Sequence, residues 1–366
     1  MRSALLPNRC AVIGAGLAGA AVAASLARRG WQVQVLDAAS HAAAGASSLP
    51  AGLLAPLVSK DDNIVSRLCR SGVAATLQQA HMLLQEDADW QPSGVQEQRI
   101  DQTPPTPLWH AHAGWIQPAR LVQAWLQHPH IQWQGNAHVA GIASTPEGWR
   151  VLDAHGHTLV EAPMLVIAAG LASAAWVRAA SGVHLPLQAI RGQVTLGERN
   201  AAALAAFPVF PVNGHGCFIP NIPNISGLAG RRWMLGASFE RDNINTLTKA
   251  ADNQANLERL QVLLPATAAA LQAQFALGNV SAWAGVRCAA RDRLPIVGCI
   301  APGLWISTAM GSRGLTFAHL CAELLAAQLH GEPGDLEPKL AAALDVRRFV
   351  PKAVSGARGS KPRSPA

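Results

Sequence analysis

Cys10-Ala11-Val12-Ile13-Gly14-Ala15-Gly16-Leu17-Ala18-Gly19 carries a short apolar run straight into a glycine-rich turn. The apolar residues have the length of one buried parallel strand, and Leu17 to Arg29 continue as an alanine-rich helix. Gly30-Trp31 turns that helix into a second apolar run, Gln32 to Leu36, which ends at Asp37. This is one βαβ unit with the dinucleotide fingerprint GxGxxG at its first turn. Gly14 and Gly16 leave room for a tight turn and for backbone N–H groups to approach a pyrophosphate, while Gly19 lets helix and strand pack closely. Ala15, Leu17 and Ala18 complete the turn. Asp37 is placed to accept hydrogen bonds from ribose hydroxyls.

The far end of the chain returns to the same ligand. Gly285-Val286-Arg287 is followed by Arg291-Asp292, Leu294-Pro295 and Gly298, and then by Gly311-Ser312-Arg313-Gly314-Leu315, which opens a helix-like stretch. A nicotinamide-binding Rossmann domain is usually complete in its own half of a chain, whereas a flavin domain closes over its ring with a distant segment. The pairing of termini implies FAD. Gly45-Ala46-Ser47-Ser48, with Gly52 just after it, offers backbone and hydroxyls to the pyrophosphate and the flavin edge. Ala168-Ala169-Gly170, at the end of the apolar run from Met164, brings backbone near the ribose.

Arg287 is the first candidate for a catalytic-site group. A guanidinium over the flavin can clamp a substrate carboxylate bidentately; the competing reading is a salt bridge to Asp292 or another acid. Arg313 either stabilises reduced flavin or caps its loop.

With 366 residues, half of them apolar and only 14% charged, the chain is globular and long enough for two domains. No apolar run reaches the roughly 18 residues of a membrane span without a glycine or charge, and the N-terminal run lacks the layout of a signal peptide. Six scattered cysteines without a CxxC pair suit a reducing cytoplasm. None of the histidine pairs has zinc-ligand spacing, so no metal is expected. The net charge of +7 is concentrated at the end: Arg347, Arg348, Lys352, Arg358, Lys361 and Arg363 follow the last acid, Asp345. A basic, Pro- and Gly-rich tail over 350–366 reads as disordered, either solubilising or contacting nucleic-acid phosphates.

Helical stretches are expected over about 62–86, 257–275 and after Gly314, and a hairpin from Gly148–Leu152 to Thr158–Glu161 turning at His155-Gly156-His157. The resulting fold class is α/β. A Rossmann-type FAD-binding domain (8–89, 137–184 and 285–349) is interleaved with a smaller mixed-sheet α+β substrate domain (90–136 and 185–284).

Taken together, GAGLAG, GASS, Gly114-Trp115-Ile116-Gln117-Pro118-Ala119, Arg191-Gly192-Gln193 and GVRCAARDRLPIVG resemble the D-amino-acid oxidase superfamily, in a glycine-oxidase-like arrangement. The last motif, AMGSRGLTFAHLCAELLAAQL and Leu57-Val58-Ser59-Lys60-Asp61 resemble one branch of it. That branch is the FAD-dependent half of the bifunctional tRNA 5-methylaminomethyl-2-thiouridine biosynthesis family. The resemblance spans about residues 8 to 349 and implies tRNA, through its anticodon loop, as substrate. It implies oxidative removal of the carboxymethyl group from 5-carboxymethylaminomethyl-(2-thio)uridine, giving glyoxylate and the 5-aminomethyl base, with O₂ as acceptor. Arg287, Arg313 and Lys60 would be its catalytic residues. The methyltransferase half is missing ahead of the glycine turn, which implies a separate methyltransferase partner. Leu49-Pro50 stands where the family tends to have asparagine, and the chain has no tyrosine to anchor a carboxylate. A free amino-acid oxidase of the glycine or sarcosine type is the alternative, with the same flavin and the same arginine.

Overall fold

The computed structural model describes residues 8–99 and 106–350. The tail from residue 351 lies outside them, with four of the six terminal cations. Arg347 and Arg348 lie inside, and both are used by the fold: Arg347 chelates Asp345, and Arg348 bridges to Asp292 and to the Leu294 and Pro295 carbonyls.

The chain enters through β1 (Arg9–Ile13), α1 (Leu17–Ala27) and β2 (Gln32–Leu36), the unit expected from the glycine turn. Helix α2 (Ile64–Leu83) follows, capped by the Asn63 side chain, and then α3 (Pro118–Leu126) and β3 (Ile131–Gln134). Strand β3 pairs in parallel with β2, and β4 (Met164–Ile167) pairs in parallel with the other side of β1. The stretch 118–134 therefore belongs to the dinucleotide layer, not to the second domain. Its edge strand buries only Ile131 and exposes Gln132, Trp133 and Gln134. Without two-sided burial it lacks the apolar run by which a parallel strand is recognised.

The chain then leaves for a second, mainly antiparallel sheet. Its long strands are β5 (Leu187–Glu198), β6 (Val212–Gly214), β7 (Gly216–Ile222), β8 (Arg232–Gly236) and the short β9 (Glu240–Arg241). Helices α4 (Ala250–Leu263) and α5 (Pro265–Ala276) cover one face. The single helix expected over 257–275 is broken at Leu264, because the residue before a proline is driven out of the α region. Strand β10 (Val280–Ala290) then pairs with β5 along eleven positions, Leu187↔Ala290 to Gly197↔Val280. The expected boundary at residue 285 thus falls inside one continuous strand.

The return runs through β11 (Ile296–Ala301), β12 (Leu304–Thr308) and α6 (Gly314–His330). The first sheet has the order β11-β12-β4-β1-β2-β3, and the second runs β9-β5-β8-β7-β6 before ending in Val95–Arg99 and Thr106–His110. The hairpin Gly148–Leu152 to Thr158–Ala162 forms as expected, with Gly156 at φ +81°.

Helix α1 is buried on nearly every side, and its alanines let both the sheet and α6 approach. Ser25 and Arg28 bond Glu323, Trp31 Nε1 donates to His330 Nε2, and Arg29 pairs with Glu332. Among the described residues no helix is long and apolar enough to cross a membrane.

His319 on α6 is 7% exposed and stacks on Trp125, with no partner for its Nδ1. Burial holds its pKa down at about 4, so the folded protein keeps the ring neutral. The unfolded chain takes up that proton below about pH 6.5. Stability should then fall by up to about 1.4 kcal/mol per pH unit between pH 6.5 and 4. Urea melts of wild type and His319→Leu should differ in that slope; equal slopes would assign the acid lability elsewhere.

Candidate functional site

A cavity of about 1000 Å³ runs from the C-terminal ends of β1, β2 and β4 to the face of the second sheet. This is the upper end of the roughly 300–1,000 Å³ of ligand pockets. Brackets of chain from both ends of the sequence meet around it.

At the near end, Gly14 holds φ +109°, and a Cβ there would strike the Ala168 carbonyl. A Cβ on Gly19 would overlap the Gly14 carbonyl. These two glycines are dictated by the packing of the turn itself. Gly16 meets only the Ser47 hydroxyl and leaves the approach to α1 open. The N-terminal turn of α1 opens on the cavity, where a helix offers N–H groups to a phosphate. Asp37 accepts from the Ala15 N–H at 2.7 Å through one oxygen and from the Ala39 N–H at 2.9 Å through the other. Each oxygen keeps a lone pair for a ribose hydroxyl.

The two serines of Gly45–Ser48 differ in their placement. Ser47 Oγ accepts from the Leu17 N–H at 3.0 Å. Ser48 Oγ donates to the Gly45 carbonyl and accepts from Trp283 Nε1, also at 3.0 Å. Ser48 thus ties the loop to the second sheet. The loop presents Gly45, Ala46, Ser47 and Leu49 to the cavity.

The C-terminal bracket comes next. Thr308 Oγ1 donates to the Gly170 carbonyl at 3.2 Å, which joins β12 to the segment after β4. Gly311, Ser312, Arg313, Gly314 and Leu315 line the cavity with Gly52, Ala169 and Gly170. Gly314 sits against the Leu17 side chain, so the N-termini of α6 and α1 stand side by side. No carboxylate among the described residues pairs with Arg313.

The far wall is the second sheet. Trp283, Gly285 and Arg287 of β10 stand opposite Val194, Gly192 and Ile190 of β5. The Trp283 ring lies over Gly285, and the Arg287 guanidinium lies against Gly192, where any Cβ would overlap it. Arg287 is largely buried, and burial pulls its pKa below the ordinary value. No carboxylate among the described residues pairs with it: Asp292 is held by Arg348 instead. An unpaired, partly desolvated cation facing a cavity is a site for an anion.

Arg191, next to Gly192 in β5, points the other way. Fully buried, it bonds Glu240, Asp252, Gln193 and the carbonyls of Asn245 and Leu247. It is saturated and cannot stand in for Arg287. Lys60 is exposed and does not line the cavity, and Ala15 and Gly19 shape the turn from behind.

Asn213, Cys217, Met234 and Ala237 complete the far wall. None had a sequence signal, because strand register alone brings them beside Val194. Burial raises the Cys217 and Cys288 thiols to about 11 each, so both are protonated and unreactive near neutrality. Among the described residues, Asp37 is the only carboxylate of the lining, and Arg287 and Arg313 its only cations.

The model of the FAD dependent oxidoreductase family, DAO, matches residues 9–97 and 96–328. The chain belongs to this family. It is therefore an FAD-dependent oxidoreductase, and the bare glycine turn, free Asp37 lone pairs and two adjacent helix N-termini suit a dinucleotide. Among curated relatives, "tRNA 5-methylaminomethyl-2-thiouridine biosynthesis bifunctional protein MnmC" of Polaromonas naphthalenivorans is 51% identical over 92% of this chain and 59% of its own length. The protein of that name from Delftia acidovorans is 44% identical over 95% and 62%. The chain thus spans about three fifths of the relatives it matches. Glycine oxidase from Geobacillus kaustophilus shares the fold with a TM-score of 0.74 at 18% identity, over 94% of this chain and 100% of that one. Iminodiacetate oxidase from Chelativorans aligns with a TM-score of 0.68 at 17% identity, over 94% and 99%.

A Gly192→Ala variant should fold, since the guanidinium it displaces is the end of a flexible side chain. FAD should bind at wild-type stoichiometry, read from flavin absorbance per protein. Oxidation of a carboxylate-bearing amine should drop by a factor on the order of 10², the cost of a misplaced charge-assisted clamp. Near-normal turnover would mean that the position of Arg287 over Gly192 is immaterial.

Proposed function

We propose that this chain oxidises the secondary amine of 5-carboxymethylaminomethyl-(2-thio)uridine at the wobble position of tRNA, releasing glyoxylate and the 5-aminomethyl base. The observation that carries the reading is the unpaired Arg287 guanidinium facing the cavity. It calls for a substrate with a carboxylate next to the reacting carbon. Kinship of 51% with proteins named for tRNA 5-methylaminomethyl-2-thiouridine biosynthesis supports a modified uridine as that substrate. The 5-methylaminomethyl product in that name implies that a methyltransferase activity takes up the amine.

FAD supplies the two-electron acceptor, and O₂ is the proposed oxidant that regenerates it. Arg287 holds the carboxylate by two parallel N–H···O contacts and thereby fixes the neighbouring methylene. Arg313, beside the α6 N-terminus, adds positive charge at the cofactor end. The oxidised substrate carries a C=N bond, which water hydrolyses. Water supplies the carbonyl oxygen of glyoxylate, and the nitrogen leaves as the 5-aminomethyl amine, with Cys217 and Met234 lining the wall beside Arg287. With no His, Glu or Lys in the described lining, no side chain is placed to deprotonate the amine. The substrate must arrive as the free base.

Two experiments test this. Glyoxylate release is measured from carboxymethylaminomethyl-tRNA, glycine and sarcosine, with wild type and Arg287 variants. The modified tRNA should be the preferred substrate; preference for glycine or sarcosine would transfer the protein to free amino-acid oxidation. Arg287→Ala should lose roughly 2–4 kcal/mol of transition-state stabilisation, and Arg287→Lys should recover only part of it. Second, kcat/KM should rise with pH on a single limb set by the pKa of the substrate amine. Replacing that amine by one of different pKa should move the limb equally. A limb that stays put would mean that an enzyme base exists.

A further inference from the structure

The second sheet carries an aromatic ring beside Arg287 that the reaction as described does not use. Strands β9 and β5 pair as Arg241↔Ile190 and Glu240↔Arg191. The ladder continues in both directions: the Ser238 N–H donates to the Gln193 carbonyl at 3.0 Å, and the Asp242 N–H to the Ala189 carbonyl at 2.8 Å. Phe239 therefore stands opposite Gly192, the position on which the Arg287 guanidinium lies. One interstrand spacing, about 4.8 Å, separates the two backbones.

Side chains alternate between the faces of a sheet. Arg191, Gln193, Ser238 and Glu240 share the face packed by α4, where they form the buried network. Gly192, Val194, Phe239 and Arg241 share the other face, on which Val194 and the Arg287 guanidinium laid over Gly192 border the cavity. Ala237, two residues before Phe239, already lines that cavity.

Phe239 is 54% exposed, although it continues the register that β9 sets with β5. The Arg241 guanidinium lies 5.8 Å from its ring centroid, a cation–π contact that orients the ring. The edge is held from behind by the Gln193 N–H to Ser238 Oγ bond and by Arg191 and Lys249 on Glu240. The ring is thus a fixed platform at the rim, next to the carboxylate clamp.

We infer that Phe239, backed by Arg241, is the surface on which the base bearing the reactive amine stacks. This rests on the tRNA reading given above. In that substrate only a short chain of single bonds separates the carboxylate from the pyrimidine. With the carboxylate on Arg287, the pyrimidine falls at the rim rather than inside the cavity. Every base presents a π-face, and single-stranded bases are bound by stacking on aromatic rings. Trp283, a ring of the cavity wall on the same strand as Arg287, is turned onto Gly285 and committed to Ser48 through its N–H. A free amino acid ends before the rim and has no use for the platform.

The test uses the FAD-loaded protein and two anticodon stem–loops, one with uridine at the wobble position and one abasic there. Affinity is read by fluorescence anisotropy. Wild type should favour the uridine stem–loop, and Phe239→Ala should lose about tenfold on it while binding the abasic one as wild type does. Phe239→Leu keeps the bulk without the π-face and should behave like alanine, whereas Phe239→Trp should restore the preference. With modified tRNA, Phe239→Ala should raise KM and leave kcat nearly intact, the reverse of Gly192→Ala. If Phe239→Ala or Phe239→Leu binds the uridine stem–loop as tightly as wild type, the platform is overturned while tRNA oxidation stands. If wild-type protein releases no glyoxylate from modified tRNA, the tRNA reading falls and takes the platform with it.

Discussion

The site depends on one bare position, Gly192. A guanidinium can lie flat on the middle of a β-sheet only where the strand beneath it has no side chain. Laid there, Arg287 gives up much of its hydration without gaining a carboxylate. That cost is borne by the surrounding sheet, and a ligand anion is what relieves it. The two neighbours of Gly192 face away and perform the opposite task. Arg191 and Gln193 fasten the loop of residues 242–249 and the start of α4 behind the sheet. Because side chains alternate, one tripeptide empties one face and rivets the other.

The glycine turn works by the same logic at the other end of the cavity. Gly14 and Gly19 lack side chains because other backbone occupies that space, and only Gly16 leaves room for a ligand. The Ser48 hydroxyl is engaged in holding the loop, while Ser47 accepts from the Leu17 N–H and still faces the cavity. The Ser48–Trp283 bond then joins cradle and far wall directly, so the distance between cofactor and clamp does not depend on long flexible connections.

Much of this was legible in the sequence. The glycine turn, the Asp37 position, the hairpin at Gly156 and the closing segment at Gly311–Leu315 are local patterns; the hairpin forms as read, and the other three meet around one cavity. Arg287 stood out because it precedes the closing glycines. What escaped is set by register, which no local pattern carries: the opposition of Phe239 and Gly192, and the meeting of Asn213 and Cys217 with Val194. The edge strand Ile131–Gln134 was hidden because one of its faces is wet. Arg191 and Arg287 cannot be told apart in role from sequence, which does not say which face of a strand a residue takes. Lys60, carried over by resemblance alone, stands exposed outside the cavity.

The packing of α1 has a consequence for how the protein comes into being. Its partner Glu323 lies 298 residues beyond Ser25, and β1 is completed only by β4. During synthesis the first helix leaves the ribosome with apolar surface on nearly every side. Its cover, α6, is made nearly three hundred residues later. The nascent chain must carry that uncovered helix over this whole interval, with the second sheet already able to form. A ribosome that stalls before Gly314 releases not a smaller enzyme but an aggregation-prone fragment, its cofactor cradle half built.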